Sequence, residues 1–396
     1  NPTPEIAAKT DAICSGGTFT VSPTDAGNGG LDIVPTGTTY TWTVVDNGSV
    51  TGETANSIAA ANISQQLTNT SNTVQTVTYT VTPRSGAAGN CVGATFQVVV
   101  TVNPKPTILA ETIAACSNSL ITYTATHGGS NIVPTNTKYT WTIKTNNTNI
   151  TGQTAQPAEQ NNFTQNLRNI TNAQETIVYT LTPISGTCAG TAFDLTVQVN
   201  PTPEIANETI AACSNAPISY TATNGGGIGN NNIVPANTLY TWIIKTDNAN
   251  ITGKSAQSTA QSTFTQTLRN TTNTPKDIVY TLIPKSGTCT GAAFDLTVTV
   301  NPTPEIQNTT AVICSGDAFT VSPANAGATL VPNNTTYTWT VAPNANISNE
   351  SDQPTAQTSI SQTLTNNTNT VQTVTYTVTP RSGEVGNCVG ATFQVV

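Results

Sequence analysis

The chain has 396 residues, of which 8% are charged and 36% hydrophobic, with a formal net charge of −8. An acidic, Lys-poor surface excludes the electrostatic footprint of a nucleic-acid binder. The regular Val, Ile, Tyr and Phe content excludes a disordered polar chain, and the lack of any run of 18 apolar residues excludes a spanning helix.

In chain order, the sequence opens on Asn1-Pro2-Thr3-Pro4-Glu5-Ile6, where two prolines hold a linker extended. A short first strand is predicted to end near Ile13-Cys14, followed by a turn at Ser15-Gly16-Gly17 and a second strand over Thr18–Ser22. A loop rich in Gly, Asn and Asp runs to Pro35. Thr38–Val45 is the clearest strand, with Tyr40, Trp42 and Val44 on one face and threonines on the other. A polar stretch leads to Ile63–Leu67. Thr76–Thr82 then places Val77, Tyr79 and Val81 together. A loop from Arg84 to Cys91 precedes the last strand, Thr95–Val102, which alternates Phe96, Val98, Val100 and Val102. No segment has helical periodicity.

This pattern recurs. The Asn-Pro pair reappears at Asn103, Asn200 and Asn301. Four units follow from it: residues 1–102, 103–199, 200–300 and 301–396, the last cut off within its final strand. The Tyr-Thr-Trp element returns as Tyr139/Trp141, Tyr240/Trp242 and Tyr337/Trp339, and each Tyr and Trp is expected in a core. A lone Trp and six or seven short alternating strands per unit describe an all-β fold: four tandem immunoglobulin-like antiparallel β-sandwich domains in an extended array. Repeats one and four match each other, as do two and three, which points to duplication of blocks. With no initiating Met and an end inside a strand, the sequence reads as a window on a longer protein.

The eight cysteines are Cys14, Cys91, Cys116, Cys188, Cys213, Cys289, Cys314 and Cys388, two per repeat and never as CxxC. They read as disulfides made in an oxidising compartment, hence in an exported chain. Pairs within a repeat lie 72–77 residues apart, whereas Cys91 to Cys116, Cys188 to Cys213 and Cys289 to Cys314 are each 25 apart. Loops inside a unit vary, but the connector between units does not. A bond inside each repeat would stabilise by about 4.5 kcal/mol on loop entropy, and one pair per repeat favours that pairing. The competing scheme is a bond across the junction, for example Cys14 to Cys188. It arises because, in a simple immunoglobulin topology, Cys14 and Cys91 would lie at opposite poles.

The set NPTPEI, ICSG, TYTWTV, QTVTYTVTPRSG, NC-x-G and FQVVVTVNP resembles the PKD-like, immunoglobulin-fold repeats of giant Bacteroidota surface adhesins, over all four units. That resemblance implies export by the type IX secretion route, display at the cell surface and no catalytic residues.

Candidate chemistry is sparse. His127 is the one histidine and sits in a loop, so a Ser-His-Asp triad could exist in only one unit. Asp194 and Asp295 share a strand position held by Gln97 and Gln394 elsewhere, so no carboxylate pair is kept. Gly225–Gly229 lacks the Lys and helix of a phosphate loop. Asp25, Asn28 and Asp32 are weak calcium candidates, since repeat four lacks the carboxylates. Asn-x-Ser/Thr triplets, as at Asn69 and Asn149, arise by chance in so Asn- and Thr-rich a chain. No catalytic residue, metal or cofactor is assigned. The expected role is a non-enzymatic stalk segment of a cell-surface adhesin that transmits force in attachment and gliding. Its expected partners are neighbouring repeats, surface polysaccharide and cell-surface motility or secretion machinery, with no nucleic acid. The alternative is a set of carbohydrate-binding or spacer modules in a secreted polysaccharide-degrading protein, which would require exposed aromatic platforms.

Overall fold

The computed structural model describes residues 1–86, 88–227 and 229–396. Two compact units divide the chain, residues 1–170 with 174–200, and residues 171–173 with 201–396.

Each repeat is a sandwich. In the first, one sheet runs Lys9–Cys14, Phe96–Asn103, Gln75–Arg84, Thr39–Val44 and Asn56–Ala60, in that spatial order. The opposing strands are Gly17–Val21, Ile63–Asn69 and Val50–Thr51. Alternation drives the assembly: Val77, Tyr79, Val81, Val98, Val100 and Val102 turn inward and are almost fully buried, while threonines take the wet face. Phe19, Ile63 and Leu67 close the core from the opposing sheet. The second and third repeats have the same sheet order around Tyr179 and Tyr280.

One pairing sets the geometry of everything below. The first strand runs parallel to the last, with Cys14 level with Asn103, Cys116 with Asn200, and Cys213 with Asn301. The first cysteine of each repeat therefore sits where the chain leaves that repeat. In the fourth repeat Phe393–Val395 is strand, Thr309 bridges to Val395 in parallel, and Thr310–Cys314 is not strand.

Two elements were not expected from the sequence. Asn56–Ala60 pairs across a bulge with Tyr40 and Trp42, and Val50–Thr51 pairs with Asn69 and Thr68. The glycine-rich loop contains a four-residue helical turn, Gly27–Gly30, broken by left-handed Asn28 and Gly29. Ile228, within the Gly225–Gly229 run, lies outside the described residues.

Candidate functional site: linker docks and staggered disulfides

Each Pro-x-Pro linker is docked on the repeat that follows it. The Glu5 N–H donates to the Ile33 carbonyl at 3.0 Å, and the Ile33 N–H donates back at 2.7 Å. The same bridge forms at Thr107/Ile132, Glu204/Ile233 and Glu305/Leu330. Two residues further on, the Ala7 N–H donates to Asp32 Oδ1 at 2.9 Å. Asn131 accepts from Leu109, Asn232 from Ala206 and Thr329 from Gln307.

The glycine of Cys-x-Gly explains how the linker lies so close. A Cβ on Gly93 would come within 2.2 Å of the Pro4 carbonyl oxygen, on Gly190 within 2.3 Å of Pro106, on Gly291 within 2.1 Å of Pro203, and on Gly390 within 2.3 Å of Pro304. Only a residue without Cβ leaves room for this backbone approach. At the other end, Asn103 closes the preceding sheet, its carbonyl accepting from Ser15 N–H at 2.8 Å. Between Asn103 and the docked Pro106 only Pro104 and Lys105 remain.

This dock absorbs the candidate calcium ligands and the lone histidine. Asp25 Oδ1 accepts from the Val34 N–H, and the equivalent acceptors are His127 Nδ1 for Val133, Asn224 for Val234 and Asn325 for Val331. His127 is thus the second repeat's version of a loop-closing acceptor. Asp32 is buried and ion-paired with Lys9. Burial acts to raise the Asp32 pKa, but hydrogen bonds from Lys9 and Ala7 N–H outweigh it and hold the carboxyl below its ordinary 3.8. Asn28 stands in the left-handed turn with its backbone at φ +50°. No cluster of three metal-ligating side chains occurs among the described residues.

Asp194 and Asp295 pair on the surface with Lys144 and Lys245 and accept hydrogen bonds from Thr180 and Thr281. These contacts hold both carboxylates below their ordinary value, led by the lysine hydrogen bond. The recurring Gln of the Phe/Ile-x-Gln-x-Leu motif clamps a loop: Gln165 bonds the Thr154 backbone in both directions. Tyr139, Tyr240, Tyr40 and Tyr337 are buried, and Trp42, Trp141, Trp242 and Trp339 are only 4–7% exposed. Three of the indoles donate to carbonyls, of Thr54, Thr154 and Ser255. The aromatic platform that a carbohydrate-binding reading needs is not formed by these residues. Asn69 is 2% exposed and its amide donates to Thr73 and Val102 carbonyls, so it is no glycan acceptor as folded.

The disulfides differ from the within-repeat expectation. Cys14 is joined to Cys188, with Cα atoms 5.6 Å apart, and Cys213 to Cys388, also at 5.6 Å. Cys116 and Cys289 are disulfide-bonded as well, and Cys91 and Cys314 are free in this structure. The reason is the parallel first strand. Cys14 lies level with Asn103 at one pole, and Cys91 precedes Phe96 at the other, an eight-residue strand away. Such a strand is about 25 Å long, far beyond the ~7 Å that a disulfide permits. Cys188 instead lies near Gly190, under the docked Pro106, and therefore at the pole of repeat two that faces Cys14. In this stagger Cys91 and Cys314 have no partner among the described residues.

Repeating sandwiches, a Pro-x-Pro linker docked by a Cys-x-Gly turn and one buried Trp each define the type. The PKD-like domain family matches residues 11–106, 113–203, 209–304 and 311–396. The chain belongs to this family. No curated protein sequence matches the chain. Among solved structures, the human desmocollin-1 ectodomain is similar at 13% identity, covering 99% of this chain and 78% of that one, with a TM-score of 0.23. The insect immune protein hemolin gives 9% identity, coverage of 99% and 98%, and a TM-score of 0.23. Extracellular cadherin domains 1–5 of protocadherin gamma B2 give 12%, 100% and 81%, and 0.21. No helix among the described residues is long and apolar enough to cross a membrane.

Proposed function

We propose that this chain is a non-enzymatic stalk segment of a long cell-surface adhesin. It sets reach and transmits force during attachment and gliding, as its resemblance to the repeats of the gliding-motility adhesin SprB implies. The boundaries taken for its four units are 1–102, 103–199, 200–300 and 301–396. Export would follow the type IX route, with neighbouring repeats, surface polysaccharide and the motility or secretion machinery as partners.

The observation that carries this reading is the junction between repeats one and two. Only Pro104 and Lys105 lie between Asn103 and the docked Pro106 there, and a disulfide from Cys14 to Cys188 joins the two repeats. A linker built to let domains move independently would carry neither restraint. Restrained junctions in series suit a part whose task is to hold distance.

The test is in cells. A chain shortened by one repeat, with its linker chemistry intact, should still reach the surface and be shaved by external protease. It should carry an epitope closer to the cell and weaken attachment. Retention inside the cell with all cysteines reduced would overturn the proposal.

A further inference from the structure

We infer that the disulfides form the load path of this chain, so that only first and last strands bear tension and the inner strands of each sandwich are bypassed. The inference deepens the stalk reading and rests on it for its biological setting; the mechanics can be tested on the isolated chain.

The argument is one of covalent connectivity. Tension applied at Asn1 travels along the first strand to Cys14 and crosses by sulfur to Cys188. It then follows the backbone to Cys213 and crosses again to Cys388. The two bonds take 174 and 175 residues out of the path. About 46 of the chain's residues remain under load, with a contour of roughly 160 Å. The unbridged chain would reach roughly 1,300 Å, about eight times more, at 3.3–3.6 Å per extended residue.

The loaded middle piece is one of the 25-residue connectors, Cys188 to Cys213. It consists of the strand Phe193–Asn200, a Pro-x-Pro linker and the strand Glu208–Cys213. Most of it is already extended, so little slack is available to pull out. The core strands Gln75–Arg84, Glu175–Ser185, Lys276–Ser286 and Thr375–Arg381 all lie inside the bridged loops and carry no end-to-end load.

This gives the sequence spacing a physical cause. A loop inside a bridged segment can change length without altering the thread, so the 72–77 residue separations vary. A connector that changed length would move a sulfur along its strand by about 3.3 Å per residue. That shift is enough to take it out of the narrow window for bonding. The other two connectors, Cys91 to Cys116 and Cys289 to Cys314, have the same 25-residue length. Cys116 and Cys289, which lie on them, are themselves bonded.

The test is single-molecule pulling of the full chain through handles at its two ends. The oxidised chain should show no step of one-repeat size, roughly 300 Å, before rupture. The same molecules in dithiothreitol should show four such steps, and so should a Cys14→Ser/Cys116→Ser/Cys213→Ser/Cys289→Ser variant, in which every bond is removed. If the variant folds poorly, dithiothreitol added to the already folded wild type gives the same comparison. Repeat-sized steps in oxidised chains whose Cys14–Cys188 and Cys213–Cys388 bonds have been verified would overturn the load path while leaving the stalk reading standing. Loss of surface display in cells would sink the stalk reading and leave the load path intact.

Discussion

The sandwich cores and the linker docks of this chain are built in opposite ways. Cores repeat their side chains: Tyr40, Tyr139, Tyr240 and Tyr337 fill one position, and Trp42, Trp141, Trp242 and Trp339 another. Docks repeat their hydrogen bonds and change the chemistry that makes them. Asp32 with Lys9 becomes Asn131 with Glu111, then Asn232 with Glu208, then Thr329. In a close-packed core the shape of the side chain is the constraint. At a dock the constraint is a backbone position, which any acceptor of the right reach can hold.

The largest effect expected is in the core. Trp141→Ala should cost about 3–5 kcal/mol, read by urea denaturation, because the indole packs on Phe163 with ring centroids 5.0 Å apart. An effect below 1 kcal/mol would erase the contrast with the docks. Next comes the turn under the linker. Gly291→Ala places a Cβ where the Pro203 oxygen lies, and overpacking of this kind costs about 1–3 kcal/mol. Hydrogen exchange should speed up at the Glu204 amide while strand Lys276–Ser286 stays protected. Equal acceleration in both would mean that dock and core are one unit.

Asp32→Ala should fall toward the lower end of about 1–3 kcal/mol, the cost of an orphaned buried donor, since Lys9 can still reach water. The comparison sharpens with pH. A carboxyl whose folded pKa is depressed contributes stability above its ordinary 3.8 and loses it as pH falls through the lower folded value. Acid should therefore loosen the Ala7 dock in repeat one and spare the docks at Leu109 and Ala206, whose acceptors are the amides Asn131 and Asn232. Equal loosening of all three would contradict the assignment. The smallest effect belongs to Arg269→Ala. Its bidentate pair with Glu305 is half exposed, so thermal denaturation should report only about 0.2–1 kcal/mol.

Much of the core was legible because burial on one face imposes alternation, as in Thr76–Thr82 and Thr95–Val102. The strand Asn56–Ala60 was not, because it pairs at a sheet edge with its side chains largely in water, and no face of it must be apolar. The dock was invisible for a related reason. Asp25, His127, Asn224 and Asn325 look unrelated until the same loop amide is seen donating to each. The cysteines were countable but their pairing was not. One pair per repeat favoured local bonds, and the distance along Phe96–Asn103 forbids them. The polar separation of Cys14 and Cys91 was already implied by an immunoglobulin-like topology, and it proved a better guide than the count.

The stagger of the disulfides can be read directly by mass spectrometry of the purified chain, with free thiols blocked before digestion under non-reducing conditions. The account predicts a Cys14 peptide joined to a Cys188 peptide, Cys213 joined to Cys388, and blocking groups on Cys91 and Cys314. Cys14 recovered with Cys91, or Cys213 with Cys289, would contradict it.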